Sequence, residues 1–161
     1  MIAIVTGAGT GIGRAIVRAL VRNGHNVALV GRTVATLEES AEHARGGAGE
    51  TMITPADVAD AAAIDDVVRR VLDRWGAIDV LVNNAGLNIP RRTIAETDVD
   101  GWRAVVDANM TGIYVCARAV LPHMRARKRG VIVNVASDAG RRTTLKSGAA
   151  YAAAKHGALS L

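Results

Sequence analysis

The sequence has no phenylalanine, one cysteine and only 2% aromatic residues. Alanine, valine, isoleucine and leucine must therefore supply most of any core. Because Cys116 is the single cysteine, a disulfide framework and a cysteine-built metal site are both excluded. No two histidines stand at a close i, i+4 spacing, so neither a zinc-binding helix nor any other metal site is predicted.

The sequence also lacks recognisable targeting or membrane-spanning segments. No uncharged apolar stretch reaches the roughly 18 residues that a membrane-spanning helix needs. The apolar run 1–5 is too short for a signal peptide, and no basic region precedes it. We therefore expect a cytoplasmic protein without a membrane partner.

An excess of basic residues gives the chain a formal net charge of +5, which would suit a nucleic-acid partner. The basic residues are, however, spread along the chain, matched by acidic residues and not interleaved with aromatic ones. This distribution favours a solvated, arginine-rich surface and no nucleic-acid partner.

The chain does contain enough apolar material for a core. Its 161 residues suit a single domain, and 50% hydrophobic with 22% charged residues excludes disorder. Apolar runs alternate with helical periodicity, most clearly where Ile64, Val67, Val68, Val71 and Leu72 recur at one helix face. The predicted strands are 2–6, 26–30, 51–54, 78–82 and 131–135. The predicted helices are 11–23, 33–45, 64–75, 98–127 with a break near residue 112, and 149–161.

Such alternation of strand and helix predicts an α/β fold, in which a parallel sheet carries helices on both faces. The strands are nearly continuous runs of valine, isoleucine and leucine, which is typical of strands buried on both faces.

A glycine-rich turn lies between the first strand and the first helix. This is where a dinucleotide site needs one, because backbone N–H groups and the helix N-terminus can then approach a pyrophosphate. The usual G-x-G-x-x-G spacing does not fit from Gly7, and a plain tight turn remains an alternative. The turn reads Thr6-Gly7-Ala8-Gly9-Thr10-Gly11-Ile12-Gly13.

Two further groups of residues could carry chemistry. The segment Asn83-Asn84-Ala85-Gly86 follows the fourth strand, at the edge of the sheet where open α/β folds bind ligands, although it could be an ordinary turn. Tyr151 and Lys155 share one helix face. The pKa of a phenol is ordinarily about 10, and a nearby ammonium favours the ionised form. The pair could therefore act as a general acid and base. In isolation, the pair would more simply be a surface tyrosine and a solvated lysine.

Together and in this order, the glycine turn, Asn83-Asn84-Ala85-Gly86, Ser137 and Tyr151-x-x-x-Lys155 resemble the classical short-chain dehydrogenase/reductase family. The resemblance covers residues 2–161. It implies a single NAD(P)-binding, Rossmann-like, doubly wound sheet with strand order 3-2-1-4-5. It also implies an NAD(P)-dependent oxidoreductase that moves a hydride between a nicotinamide and a carbonyl or alcohol carbon. A non-catalytic NAD(P)-binding sensor on the same fold is the alternative.

The resemblance also implies roles for individual residues. Tyr151 would exchange the proton with the substrate oxygen, and Lys155 would assist it and hold the nicotinamide ribose. Ser137 would hydrogen-bond the substrate oxygen, and Asn109 would interrupt its helix and hold a relay water. The implied cofactor-binding residues are Gly7, Gly9, Thr10, Gly11, Ile12, Gly13, Arg32, Asp57, Val58, Asn84, Ala85, Gly86, Tyr151 and Lys155.

The end of the second strand bears on the choice of cofactor. NAD-selective dinucleotide folds place an acid there to bind the ribose 2′-hydroxyl. Gly31 stands at that place here, and the guanidinium of Arg32 can grip a 2′-phosphate. NADP is therefore expected over NAD, although Thr10 adds no second basic group. Alternatively, Arg32 merely caps the strand or pairs with Glu38 or Glu39.

Substrate and partners are less well encoded. Basic residues near the end of the long helix and near Ser137 would suit an acyl carrier protein, as in 3-oxoacyl reductases of the family, but they could simply complement a helix C-terminus. A homodimer or homotetramer is expected, with apolar residues of the long helix on its outer face. The basic residues are Arg125, Arg127, Lys128, Arg129, Arg141, Arg142 and Lys146, and the outer-face residues are Ile113, Val120 and Met124.

The predicted last helix has no stop signal over 158–161, so the sequence is expected to be a C-terminally incomplete version of the domain. On this expectation the fifth strand is an exposed apolar edge prone to aggregation, and the chain alone shows little turnover.

Overall fold

A computed structural model describes residues 1–142 and 146–161. Within these ranges, five parallel strands form one sheet in the order β3-β2-β1-β4-β5, which confirms the predicted order. The strands are β1 (Ile2–Thr6), β2 (Asn26–Gly31), β3 (Thr51–Pro55), β4 (Val80–Asn83) and β5 (Val131–Asn134). The helices are α1 (Gly11–Arg22), α2 (Val34–Ala44), α3 (Ala61–Trp75), α4 (Val99–Val106), α5 (Gly112–Ala126) and α6 (Ala149–Ser160).

The central strands are buried on both faces, as predicted. Ile4 and Val30 pack on one side of the sheet against side chains of α3 and α5, whereas Val5 and Leu29 pack on the other side against α1 and α2. Side chains alternate between the two faces of a strand, so each apolar run serves two cores. The sheet that positions the carboxyl ends of β1, β2 and β4 is therefore held from both sides.

Helix α3 follows the predicted periodicity. Asp60 caps its N-terminus by accepting hydrogen bonds from Ala62 N and Ala63 N, and Gly76 ends it at φ 72°. Ile64 and Val71 are almost fully buried. Burial of each such side chain stabilises the fold by about 1.5–3 kcal/mol.

For β5 the expectation of two buried faces is wrong, whereas the expectation of an exposed apolar edge is confirmed. This strand lies at the edge of the sheet, with Val131 55% and Val133 45% exposed, whereas Ile132 packs against the core. The uniform apolar run concealed the difference, because both faces of β5 read alike in the sequence.

The predicted break in the long helix is a π-helical turn, Asp107–Thr111, between α4 and α5. After this turn Ile113, Val120 and Met124 are buried at 4%, 1% and 5% exposure, so placing them on the outer face is wrong. Because α5 packs on the sheet, they join the core instead. Tyr114 is exposed in their place.

By length and composition alone, the helical run Val99–Ala126 could cross a membrane, with a mean hydropathy of 1.3 in its most apolar window. Buried helices of globular domains meet the same criterion. Cys116, within this run, is 2% exposed, and burial raises the pKa of its thiol to about 12.

Asp79 joins the start of β1 to the end of α5. Its Oδ2 accepts a hydrogen bond from Ile2 N at 2.9 Å, and its Oδ1 accepts one from Arg127 Nη1 at 3.2 Å. Burial by itself would raise the pKa of Asp79. The hydrogen bond from Ile2 and the charges of Arg127 and Arg129 outweigh burial and hold that pKa below its usual value.

We expect Asp79→Asn to lower the free energy of unfolding at pH 7 by about 1–2 kcal/mol. Because the folded-state pKa is depressed, this contribution is present above the unfolded-state value near ~3.9 and is lost as the pH falls through the folded-state value. Urea denaturation between pH 7 and 2 should therefore show a flatter pH dependence for the variant. Asp73→Asn, at an exposed carboxylate paired with Arg69, is the control and should change little. Equal effects from the two variants would contradict this account.

Candidate functional site

The glycine turn lies at the carboxyl end of β1 and leads into the N-terminus of α1. Gly7 and Gly11 adopt positive φ of 62° and 51°. Gly13 lies beneath the turn, where a Cβ atom would stand 2.1 Å from Gly7 O and 2.7 Å from Asn84 Nδ2. A side chain at position 13 would therefore displace the backbone of the turn.

Asn84 ties the segment after β4 to this turn. Its Nδ2 donates to Thr6 O at 3.0 Å and to Gly7 O at 3.2 Å. In return, Thr6 Oγ1 accepts from Asn84 N and Ala85 N, both at 3.0 Å. The two segments that the sequence singled out thus form one hydrogen-bonded unit, and Thr6 is part of it.

Two polar side chains that sequence reasoning missed hold the turn from outside. Arg14 Nε and Nη2 donate to Gly9 O at 3.1 and 2.6 Å, and Ser40 Oγ donates to the same oxygen at 3.0 Å. Arg14 also pairs with Glu39 at 2.8 Å. In the sequence, Arg14, Arg18 and Arg22 recur every four residues, which is typical of an exposed helix face, and no pattern marks Ser40.

A cleft of about 410 Å³ opens beside the turn, and we call it the glycine-turn cleft. Eight of the predicted cofactor residues line it, whereas Gly13 lies below it. The eight are Gly7, Gly9, Thr10, Arg32, Asp57, Val58, Ala85 and Gly86.

Arg32 stands at the edge of this cleft. Its side chain is 68% exposed, and its Nη1 lies 4.0 Å from Asp57 Oδ2. It does not pair with Glu39, which contacts Arg14, or with Glu38. The guanidinium of Arg32 thus remains open to an incoming anion.

A second cleft of about 580 Å³, the tyrosine cleft, adjoins the first through Gly86 and Leu87. The four residues predicted to be catalytic line it together, although they come from three different parts of the chain. Its predicted site residues are Ile12, Asn84, Gly86, Asn109, Ser137, Tyr151 and Lys155.

Lys155 is 4% exposed, and burial lowers the pKa of its ammonium. Its Nζ donates to Val135 O at 3.0 Å and lies 5.7 Å from the centroid of the Tyr151 ring. An ammonium has three donors, and within the described residues Val135 O is its one hydrogen-bond acceptor. Two donors of Lys155 are therefore available to a ligand in the cleft.

Asn109 lies in the π-helical turn and is fully buried. Its Nδ2 donates to Leu87 O at 2.7 Å and to Val105 O at 2.8 Å. Its Oδ1 is the one buried side-chain polar atom of residues 1–142 and 146–161 without a hydrogen-bond partner. A buried acceptor without a donor is costly, so Asn109 is prepared for a donor that the described residues do not supply.

Ser137 lies three residues after the end of β5, and Tyr151 lies in the first turn of α6. Ser137 Oγ accepts a hydrogen bond from Ala139 N at 3.2 Å, which fixes the oxygen and leaves the hydroxyl hydrogen free to point elsewhere. The Tyr151 ring packs against the cluster around Val105 and Ala154 and remains partly exposed.

The sequence matches one protein family and many known proteins. The model of the family described as short chain dehydrogenase matches residues 1–161. The chain is 42% identical over 158 residues to a Streptomyces virginiae protein named as a ketoacyl reductase of the monensin polyketide synthase. That match covers 97% of the chain and 60% of the relative. The chain is also 40% identical over 141 residues to a Salmonella typhi protein named as an NADP-dependent 3-hydroxy acid dehydrogenase. This second match covers 87% of the chain and 55% of the relative.

Solved structures agree in fold. A metagenomic short-chain oxidoreductase in complex with NADP superposes with a TM-score of 0.93 at 36% identity, covering 99% of this chain and 72% of that one. A Thermococcus sibiricus alcohol dehydrogenase complexed with 5-hydroxy-NADP gives 0.91 at 31% identity, with coverage of 99% and 67%. The chain thus spans little more than half the length of the two curated relatives described.

Proposed function

Since the chain belongs to the short-chain dehydrogenase family, we propose that the protein is an NADP-dependent oxidoreductase acting on a carbonyl or alcohol substrate. The observation that carries this proposal is the meeting of Asn109, Ser137, Tyr151 and Lys155 in one cleft next to the glycine turn. A non-catalytic NAD(P) sensor would need the turn but not these four side chains together.

In this proposal Tyr151 gives a proton to the carbonyl oxygen during reduction and takes it back during oxidation. Lys155 lies beside the Tyr151 ring, and the two donors that its ammonium has left suit the hydroxyls of a ribose. Its lowered pKa follows from burial, so a bound polar ligand would compensate for the solvation that the ammonium has lost.

Ser137 and Asn109 complete the site. The Ser137 hydroxyl can donate to the substrate oxygen while its own oxygen is held by Ala139 N. The unpaired Oδ1 of Asn109 would accept from a water that leads toward Lys155. By this route a proton would reach Lys155 and Tyr151 during reduction and would leave the cleft during oxidation.

The residues present fit a dinucleotide. The positive φ of Gly7 and Gly11 and the pinning of Gly9 O away from the cleft are what a backbone cradle for a pyrophosphate requires. Gly7, Gly9, Thr10, Gly11, Ile12 and Gly13 would form that cradle, with Asp57, Val58, Asn84, Ala85 and Gly86 lining the remainder. When bound, the nicotinamide supplies or accepts the hydride.

The test is a panel of ketones supplied with NADPH and followed at the nicotinamide absorbance, beside a fluorescence titration of NADPH. Oxidation that requires both protein and ketone supports the proposal. The assay should use protein that includes the remainder of the relatives' length. If that protein binds NADPH but turns over no ketone, the result would favour the sensor.

Arg32 supports NADP as the preferred cofactor, with NAD also usable. Its guanidinium is exposed at the glycine-turn cleft, and Gly31 presents no carboxylate to repel a 2′-phosphate. Thr33 lines the same corner and could add a hydroxyl donor, whereas the Thr36 hydroxyl already donates to Thr33 O at 2.9 Å. The relatives named or solved with NADP point the same way.

We expect Gly31→Asp combined with Arg32→Ala to reverse the cofactor preference. NADPH affinity should fall about 10–100-fold, because the 2′-phosphate loses its charge-assisted hydrogen bonds to Arg32 and is repelled by the new carboxylate at position 31. NADH should then bind better than NADPH. The Cβ at position 31 would lie 3.2 Å from Leu37 Cδ2, so the flexible leucine must shift slightly. Arg18→Ala changes another exposed arginine and is the control. If the double variant still binds NADPH better than NADH, Arg32 does not select the cofactor.

A substrate delivered on acyl carrier protein is a second candidate. The name of the Streptomyces virginiae relative favours it, as does a basic hollow lined by Arg125, Lys128 and Arg129. Arg127 and Arg142 are already paired with Asp79 and Asp138, which leaves fewer free charges for docking. Faster reduction of a carrier-bound 3-oxoacyl group than of the free thioester would support this candidate.

We also propose a cytoplasmic homodimer or homotetramer. The support is apolar surface on α4 and α5, where Val99, Trp102 and Tyr114 are 64%, 42% and 56% exposed. Light scattering across a range of concentrations tests self-association, and a monomer at every concentration would contradict it.

A further inference from the structure

The segment just before α6 is clasped to the loop that follows β4. Arg92 in that loop donates from Nε to Ile89 O at 2.8 Å and from Nη1 to Lys146 O at 2.8 Å. One planar guanidinium therefore bridges carbonyl oxygens from two segments that are far apart in sequence. Asn88 adds a parallel tie, because its Nδ2 donates to Ser147 O at 3.0 Å.

The backbone of Arg92 completes the clasp by capping α6. Its carbonyl oxygen accepts a hydrogen bond from Ala149 N at 3.0 Å. The first N–H groups of a helix have no acceptor within the helix, and Gly148, the N-cap residue, has no side chain to supply one. Gly148 also permits a close approach: at φ 75°, its Cβ would stand 2.5 Å from Arg92 Cβ.

Tyr151 lies in the first turn of α6, immediately beyond this clasp. Lys155, one turn later, is held separately through Val135 O. A displacement of residues 146–149 would therefore move the phenol more than the ammonium. It would also change the shape of the tyrosine cleft, which Asn88 and Lys146 line.

We propose that Arg92 is a positioning residue that fixes the phenol of Tyr151 relative to Lys155 and Ser137. This inference rests on the function proposed for that site. Arg92 lines neither the glycine-turn cleft nor the tyrosine cleft, so it acts through the start of α6. A misplacement of about 1 Å can cost a reaction on the order of 10²-fold, so a loosened clasp should be visible in the rate.

The test compares Arg92→Ala with Arg91→Ala, which removes the same charge one residue earlier. Within the described residues the guanidinium of Arg91 has no hydrogen bond or ion pair, and its backbone oxygen accepts from Thr97 Oγ1. Arg92→Ala should lower kcat about 10–100-fold and leave the KM for NADPH within about twofold. Arg91→Ala should leave both unchanged. Arg92→Lys should recover part of kcat, because an ammonium can serve one of the two carbonyls but not the fork.

Amide hydrogen exchange tests the clasp independently of turnover. In Arg92→Ala, exchange at Ala149 to Tyr151 should quicken about tenfold or more, with β1 and β4 unchanged, and Arg91→Ala should show no change. Unchanged exchange at the start of α6, or equal loss of kcat in both variants, would overturn the inference. So would exchange that quickens throughout the sheet, since Arg92 would then serve stability in general. Absence of turnover in unmodified protein that includes the remainder of the relatives' length would instead refute the proposed function, and the exchange result would still decide the clasp.

Discussion

Replacing Tyr151 with phenylalanine is expected to lower kcat by about 10²–10⁴-fold, which is the range for loss of a general acid and base. The variant keeps the ring that packs near Val105 and Ala154, so the fold and the affinity for NADPH should persist. Single-turnover and steady-state rates with the best ketone of the panel, together with an NADPH titration, measure the two effects separately.

The chain supplies a matched control for this change. It has two tyrosines, and the other one, Tyr114, is 56% exposed on α5. Tyr114→Phe removes the same hydroxyl outside the cleft and should leave kcat unchanged. Turnover retained in Tyr151→Phe would withdraw the proton-transfer role from Tyr151.

The largest expected loss of stability is at Gly13. Its Cβ would collide with Gly7 O and Asn84 Nδ2, and neither is the end of a flexible side chain that can move away freely. We expect Gly13→Ala to lower the free energy of unfolding by about 3 kcal/mol and to weaken NADPH binding, because the turn and its tie to Asn84 must both shift.

Gly11→Ala is the comparison that separates crowding from backbone strain. Gly11 has a positive φ of 51°, but nothing lies within 4 Å of its Cβ position. Only the strain of about 1–2 kcal/mol should appear there. Urea denaturation of both variants tests the difference, and a Gly11→Ala variant as unstable as Gly13→Ala would show that crowding is not the cause.

Much of the fold could be predicted because the signals are local. Helix α3 has both its apolar periodicity and its capping residue within one short segment. The glycine turn is recognised from its glycine content alone. The outer face of α5 was mispredicted for a physical reason. A π-helical turn inserts one extra residue, which rotates the following helix by about 100° relative to an uninterrupted pattern.

The site was predictable only in part. Tyr151, Lys155, Ser137 and Asn109 were selected because their pattern resembles a family, and the structure places them together in one cleft. The groups that hold the glycine turn and the start of α6 had no such signal. The bonds from Ser40 to Gly9 and from Arg92 to Lys146 join side chains to backbone oxygens that are distant in sequence, and any backbone offers such an oxygen.

The burial of Cys116 has an experimental consequence. Its thiol is 2% exposed, and its raised pKa of about 12 leaves almost no thiolate at neutral pH. A maleimide or disulfide reagent can therefore modify it only when α5 lifts from the sheet. As the sequence has no second cysteine, the labelling rate in excess reagent reports the frequency of that opening. Labelling of Cys116 with and without a ligand in either cleft would therefore measure how far that ligand stabilises the packing of α5 on the sheet.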